Sequence, residues 1–101
     1  MSSKYFQVIA HYFPQPDEVQ NVLGLLSGLA AASRTEEANL SYEFFRGEED
    51  PAHIVILERY TDAAGFAAHR GYDHFKTIGL GQIIPKLASR RVESYEGSTD
   101  A

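Results

Sequence analysis

Residues 53–60, His-Ile-Val-Ile-Leu-Glu-Arg-Tyr, make a run that is apolar on both faces of a strand. Side chains alternate across a strand, so Ile54 and Ile56 share one side with Glu58 and Tyr60, while Val55 and Leu57 take the other. Residues 5–13 behave alike. Phe6, Val8, Ala10 and Tyr12 share one face, and Tyr5, Ile9 and Phe13 the other. A sheet with one face in water alternates apolar and polar more cleanly than this. Both faces therefore need cover, and helices can cover only one of them. A second copy of the chain is the simplest cover for the free face, so a homodimer through the sheet faces is expected.

Between these strands the period changes. Pro14 and Pro16 end the first strand, and Asp17 and Glu18 suit the positive end of a helix. Val19, Val22, Leu23, Leu26, Leu29 and Ala30 then recur at three- and four-residue steps, one apolar stripe along a helix. Gly24 and Gly28 fall inside it, each costing roughly 1 kcal/mol against Ala, and close packing on the sheet is the reason expected for them. Residues 40–46 read as a second strand, joined to the third by the turn-rich Gly47-Glu48-Glu49-Asp50-Pro51. Thr61 or Asp62 can cap a helix over 63–70, stopped by Gly71. Asp73 can cap a further short helix over 74–78. Gly79, Gly81 and Pro85 allow only irregular or short helical structure beyond it, and residues 90–95 make the last strand. The order β-α-β-β-α-β is the ferredoxin-like α+β plan, an antiparallel sheet with helices on one face. The domain is expected over residues 5–96, with residues 1–4 as a disordered start and 97–101 as a flexible tail.

Several classes of chemistry are excluded at once. Cysteine is absent, so there is no disulfide, thiolate nucleophile or Cys-ligated metal. The net charge is −5 and the nine basic residues are scattered, Arg90-Arg91 being the sole adjacent pair; nucleic acid needs a clustered cationic face. No apolar run is long enough for a signal peptide or membrane span, which points to a cytoplasmic protein. Phosphate loops, dinucleotide fingerprints, nucleophile elbows and zinc-protease motifs are all missing.

The polar residues that remain gather around the third strand. Glu58 lies on the face shared with Ile54 and Ile56, where a carboxylate is costly unless paired. His69, at the end of the following helix, is its expected partner, as a general base, an orienter of substrate, or a structural tie between helix and sheet. His74 opens the next helix, where its ring either faces a cavity or lies at the surface. His69, His74 and Glu58 have the make-up of a ferrous site, but their spacing demands none, so no metal is expected. Tyr42, Phe44, Tyr60, Phe66, Tyr72 and Phe75 can line an aromatic pocket or fill plain core. Asn39 is a turn residue whose amide can also point at a ligand. His11 and His53 belong to the surface or an interface.

One resemblance gathers these residues. The run Glu36-Glu37-Ala38-Asn39-Leu40-Ser41-Tyr42-Glu43 is followed by Asp50-Pro51, Leu57-Glu58-Arg59-Tyr60, Ala63-Ala64 with Phe66, then His69 and His74-Phe75-Lys76. This ordered set, spread over residues 5–95, resembles the antibiotic biosynthesis monooxygenase family. The resemblance implies a ferredoxin-like dimer joined through its sheet faces, with a pocket between sheet and helices. It also implies O₂ chemistry on an electron-rich aromatic or quinol without cofactor, with His74, His69 and Glu58 as catalytic groups and Asn39, Tyr42, Tyr60, Phe66 and Tyr72 around the substrate. The anthrone-oxidising branch carries Asn, Trp and Tyr where Ile56, Tyr60 and Phe66 stand here, and without Trp the haem-degrading branch is excluded. Local wording is nearest the branch that holds a quinol monooxygenase and an isomerase of a phosphorylated dione. An isomerase, with Arg46, Lys76 and Arg70 as candidate phosphate cations, and a ligand-binding dimer are the alternatives.

Overall fold

A computed structural model describes residues 2–100. The elements are β1 (Ser2–Pro14), α1 (Val19–Ser33), β2 (Asn39–Arg46), β3 (Ile54–Tyr60), α2 (Ala63–His69), a π-helix (Phe75–Ile83) and β4 (Leu87–Asp100), with short 3₁₀ turns at Pro16–Glu18 and Ile84–Lys86. The sheet order is β2-β3-β1-β4 with every neighbouring pair antiparallel. This is the ferredoxin-like plan that the element order implies.

The register sets the two faces. Phe6, Val8, Ala10 and Tyr12 of β1 sit opposite Tyr60, Glu58, Ile56 and Ile54 of β3. Tyr42 and Phe44 of β2 continue the same rows. Against this face α1 lays its stripe, with Val22, Leu26, Leu29 and Ala30 essentially sealed from solvent. Each of the valine and leucine side chains contributes roughly 1.5–3 kcal/mol through the area it removes from water. The Arg34 guanidinium, just past the end of α1, donates to the Tyr42 carbonyl at 2.7 and 3.0 Å and so ties the helix exit to β2.

Three expectations change, and one open choice closes. Gly24 and Gly28 do not pack on the sheet: both are on the solvent side of α1, and an added Cβ on either meets nothing within 4 Å. The stripe that buries Val22, Leu26 and Leu29 turns those two positions outward. The segment after α2 is a nine-residue π-helix rather than a short helix followed by irregular chain, and Asp73 does not cap it. Its wide turns carry Gly79 against Phe75 and Leu29, where a Cβ has only 3.4 Å to the Phe75 ring. Asp62 rather than Thr61 caps α2, its carboxylate accepting from the Gly65 N–H at 2.9 Å. Finally, β1 and β4 outrun the expected domain. Ser2 to Lys4 pair with Asp100 to Ser98, and each strand supplies the backbone partner the other needs. Met1 and Ala101, the ends of the expected disordered start and tail, lie outside the described residues.

The helices stop short of β4. Its helix-side residues Arg90, Val92 and Ser94 stay exposed, with Val92 46 % accessible. That uncovered strip beside α2 and the π-helix forms one wall of a cavity.

Candidate functional site

The cavity measures about 370 Å³. Phe6, Val8, Ala10 and Val92 give it an apolar floor, and Phe66 and Phe75 close it from the helix side. Tyr42, Glu58 and His69 bring polar atoms to one end, Arg70 and Arg90 to the rim. An apolar slot with a few convergent polar groups is the usual form of a small-molecule site.

His69 ends α2 and turns inward, 1 % exposed. Its Nδ1 lies 2.8 Å from Glu36 Oε2, and its Nε2 3.7 Å from Glu58 Oε1. A carboxylate oxygen accepts, so the close contact places the proton on Nδ1 and leaves the Nε2 lone pair toward the cavity and Glu58. Burial pushes the His69 pKa down; the hydrogen bond and charge of Glu36 oppose this, and His74 and Arg70 add to it. Glu58 is held at the bottom of the slot by its place on β3, whose backbone carbonyl accepts from the Gln7 amide at 3.1 Å. The Tyr60 hydroxyl donates to Glu58 Oε1 at 2.7 Å. Burial raises the Glu58 carboxyl from its ordinary 4.5 to about 7, with the Tyr60 hydrogen bond opposing and the neighbouring Glu36 adding. Burial likewise lifts the Tyr42 and Tyr60 phenols well above their ordinary range, so both stay protonated.

His74, half-buried, sends Nε2 to the same Glu36 Oε2 at 2.6 Å. One carboxylate oxygen thus takes two imidazoles. Tyr72 stacks on the His74 ring at 5.2 Å between centroids, and Phe75 meets His69 edge-on at 5.1 Å.

Of the residues expected at the site, Tyr42, Glu58, Phe66 and His69 do line the cavity. Asn39, Tyr60, Tyr72 and His74 are not among the residues that line it. The Asn39 amide donates to the Ser41 carbonyl at 3.1 Å, a local turn bond. Tyr60 is sealed behind Glu58 and positions it, and Tyr72 is 41 % exposed on the outer side of His74. The Glu58–His69 pair exists only at 3.7 Å; the close partner of His69 is Glu36. Glu36 lies in a polar connection between α1 and β2, where no periodicity marks it as buried. Its burial is decided by α2 and the π-helix closing over that connection. Arg90 was likewise unmarked, one of an ordinary basic pair until the sheet turned it to the rim. His11 and His53 stack on the opposite face of the sheet, with Nδ1 and Nε2 2.9 Å apart.

A family model described as antibiotic biosynthesis monooxygenase matches residues 6–79. Solved structures share the whole fold. A protein from Shewanella oneidensis is 20 % identical with a TM-score of 0.87, covering 97 % of this chain and 95 % of its own. A Nitrosomonas europaea protein whose description names antibiotic biosynthesis monooxygenase is 19 % identical with a TM-score of 0.87, covering 96 % and 92 %. Another, described as an antibiotic biosynthesis monooxygenase, is 28 % identical with a TM-score of 0.77, covering 95 % and 97 %. No curated protein matches the sequence.

Proposed function

The chain belongs to the antibiotic biosynthesis monooxygenase family, and from that premise we propose that it oxygenates a quinol or similarly electron-rich phenol bound in the cavity, with no cofactor. The observation that carries this reading is the His69 ring in the cavity wall, held at Nδ1 by Glu36 with Glu58 beside Nε2, an arrangement that leaves Nε2 as the basic nitrogen. A base in this position takes the phenolic proton, and the imidazolium it becomes lies between two carboxyl groups. Arg70 and Arg90 line the same cavity, and neither has an acidic partner within ion-pair distance among the described residues. Cations at the rim favour the phenolate over the phenol. The apolar floor excludes water from the anion.

The reaction balances without an outside reductant. The ring carbon beside the phenolate bonds to O₂, and the proton held at His69 completes a hydroperoxide. The O–O bond then breaks as water leaves with the hydrogen of that carbon. Quinol plus O₂ becomes hydroxyquinone plus water. The quinol supplies all four electrons, two from its oxidation to quinone and two from the C–H bond that becomes C–OH.

The test is dissolved-oxygen uptake by chelator-treated protein with a panel of quinols, with ¹⁸O₂ to trace the product. Uptake above autoxidation and a loss of roughly 100-fold or more in His69→Asn are expected, the usual scale for removal of a general base. Uptake equal to the protein-free background throughout, or an undiminished His69→Asn, overturns the reading.

The assembly we propose is a homodimer through the helix-free face of the sheet. Support comes from Phe45 and Tyr95, both about half exposed there, beside half-buried Ile9, Val55 and Leu57. Glu43, Arg59, Arg91 and Glu93 give that face both signs of charge, so a two-fold mate offers each cation an anion. No helix of the described residues is long and apolar enough to cross a membrane. A cysteine-free chain suits the cytoplasm, the location this reading carries.

A further inference from the structure

Glu36 Oε2 lies 2.8 Å from His69 Nδ1 and 2.6 Å from His74 Nε2, and all three atoms fall within 4.8 Å of one another. The carboxylate is buried, yet its other oxygen, Oε1, has no hydrogen-bond partner among the described residues. An acceptor serving only to hold two imidazoles would divide them between its oxygens. Here both converge on one atom, and the second buried oxygen is left open beside them.

From this we infer that Glu36, His69 and His74 form a binding site for a divalent transition-metal ion of the Zn²⁺ or Co²⁺ type. Two imidazoles and a carboxylate are the donor set such borderline ions take. Around an ion with bonds of about 2.1 Å, tetrahedral ligands stand roughly 3.4 Å apart, so the two contacts, now 2.8 and 2.6 Å, open by roughly 0.6 and 0.8 Å to admit one. Oε1 supplies a further donor or accepts from bound water. An outer-shell carboxylate stands nearby, beyond hydrogen-bond reach in this arrangement. A metal-bound imidazole normally gives its other N–H to a carboxylate, and His69 Nε2 faces Glu58 Oε1 at 3.7 Å. Half-buried His74 provides the way in from solvent.

The ion and the proposed base compete for one ring. With metal on Nδ1, the His69 proton moves to Nε2, and the lone pair facing the cavity is lost. Metal occupancy therefore shuts off the oxygenation, a consequence that rests on the function proposed above, whereas the site itself does not.

Chelator-treated protein titrated with Co²⁺ alone, and separately with Zn²⁺ by calorimetry, tests the site without any substrate. One ion per chain is expected, with visible d–d bands for Co²⁺. His74→Ala and Glu36→Gln should each weaken binding at least tenfold, while His11→Ala and His53→Ala on the other face keep it. His74 is half-buried, so its variant keeps the test decisive even if Glu36→Gln fails to fold. No stoichiometric binding, binding that survives in His74→Ala, or binding lost instead in the His11 and His53 variants overturns the site. Because these readouts use no quinol, a failure of oxygen uptake leaves them standing. Metal binding that leaves uptake undiminished overturns only the link between them.

Discussion

Glu58 occupies a place where a carboxylate is costly, on the helix side of β3, 5 % exposed and opposite Val8 and Tyr42. Its carboxyl is raised to about 7 from an ordinary 4.5, burial being the main cause. The sign of the stability effect follows. Below pH 4.5 both folded and unfolded chains hold the proton. As pH rises toward 7 the unfolded chain ionises first, and stability falls. The loss is complete above the folded value and amounts to about 3 kcal/mol. Glu58→Gln mimics the protonated form and can still accept from Tyr60. Its stability in urea, measured with chelator present, should exceed that of the native protein progressively more from pH 4.5 to pH 8. A difference that is flat with pH would show that Glu58 is not held neutral by burial. The location of Glu58 was readable from alternation along β3. The true partner of His69 was not, because Glu36 reaches it across 33 residues of chain from a polar connection.

The elements divide in the same way. The α1 stripe is visible as a period in the chain, and the structure buries it where expected. Gly24 and Gly28 mislead because the sequence shows their spacing but not which side of the helix the sheet takes. With both on the solvent side and nothing near their Cβ positions, replacement by Ala removes backbone entropy from the unfolded chain at no steric cost. Gly24→Ala/Gly28→Ala should therefore stabilise the protein by about 1–2 kcal/mol in all, seen as a higher thermal midpoint. A lower midpoint would mean that this face of α1 is packed in solution. The π-helix was hidden for a different reason. Gly79 and Gly81 weaken any helical reading of that stretch, and only packing on α1 makes the wide turns worthwhile.

At the scale of the molecule, the two apolar sheet faces have different fates. One is covered by α1, α2 and the π-helix except along β4, and the uncovered strip becomes the cavity. The other carries Phe45 and Tyr95 about half exposed, in line with Val55, His11 and Arg91 and with Arg59 and Gln7 across the sheet. Light scattering behind a sizing column should give twice the chain mass at micromolar concentration, and Phe45→Asp, which buries a charge in the contact, should give the monomer. A native protein that runs as a monomer throughout this range would remove the proposed dimer.

Taken alone, the amino-acid order determined the periods of the chain. Alternation in β1 and β3 and the three- and four-residue steps of α1 follow from local geometry, so the ferredoxin-like plan, the helix side of Glu58 and the inward stripe are all written along the chain. Tertiary structure decided what no period records. It brought Glu36, His69 and His74 onto one oxygen atom, withdrew Tyr60 behind Glu58, and turned Arg70 and Arg90 to one rim. Those contacts join residues tens of positions apart. They are set by how sheet and helices close on one another, a property of the packed molecule and not of any segment within it.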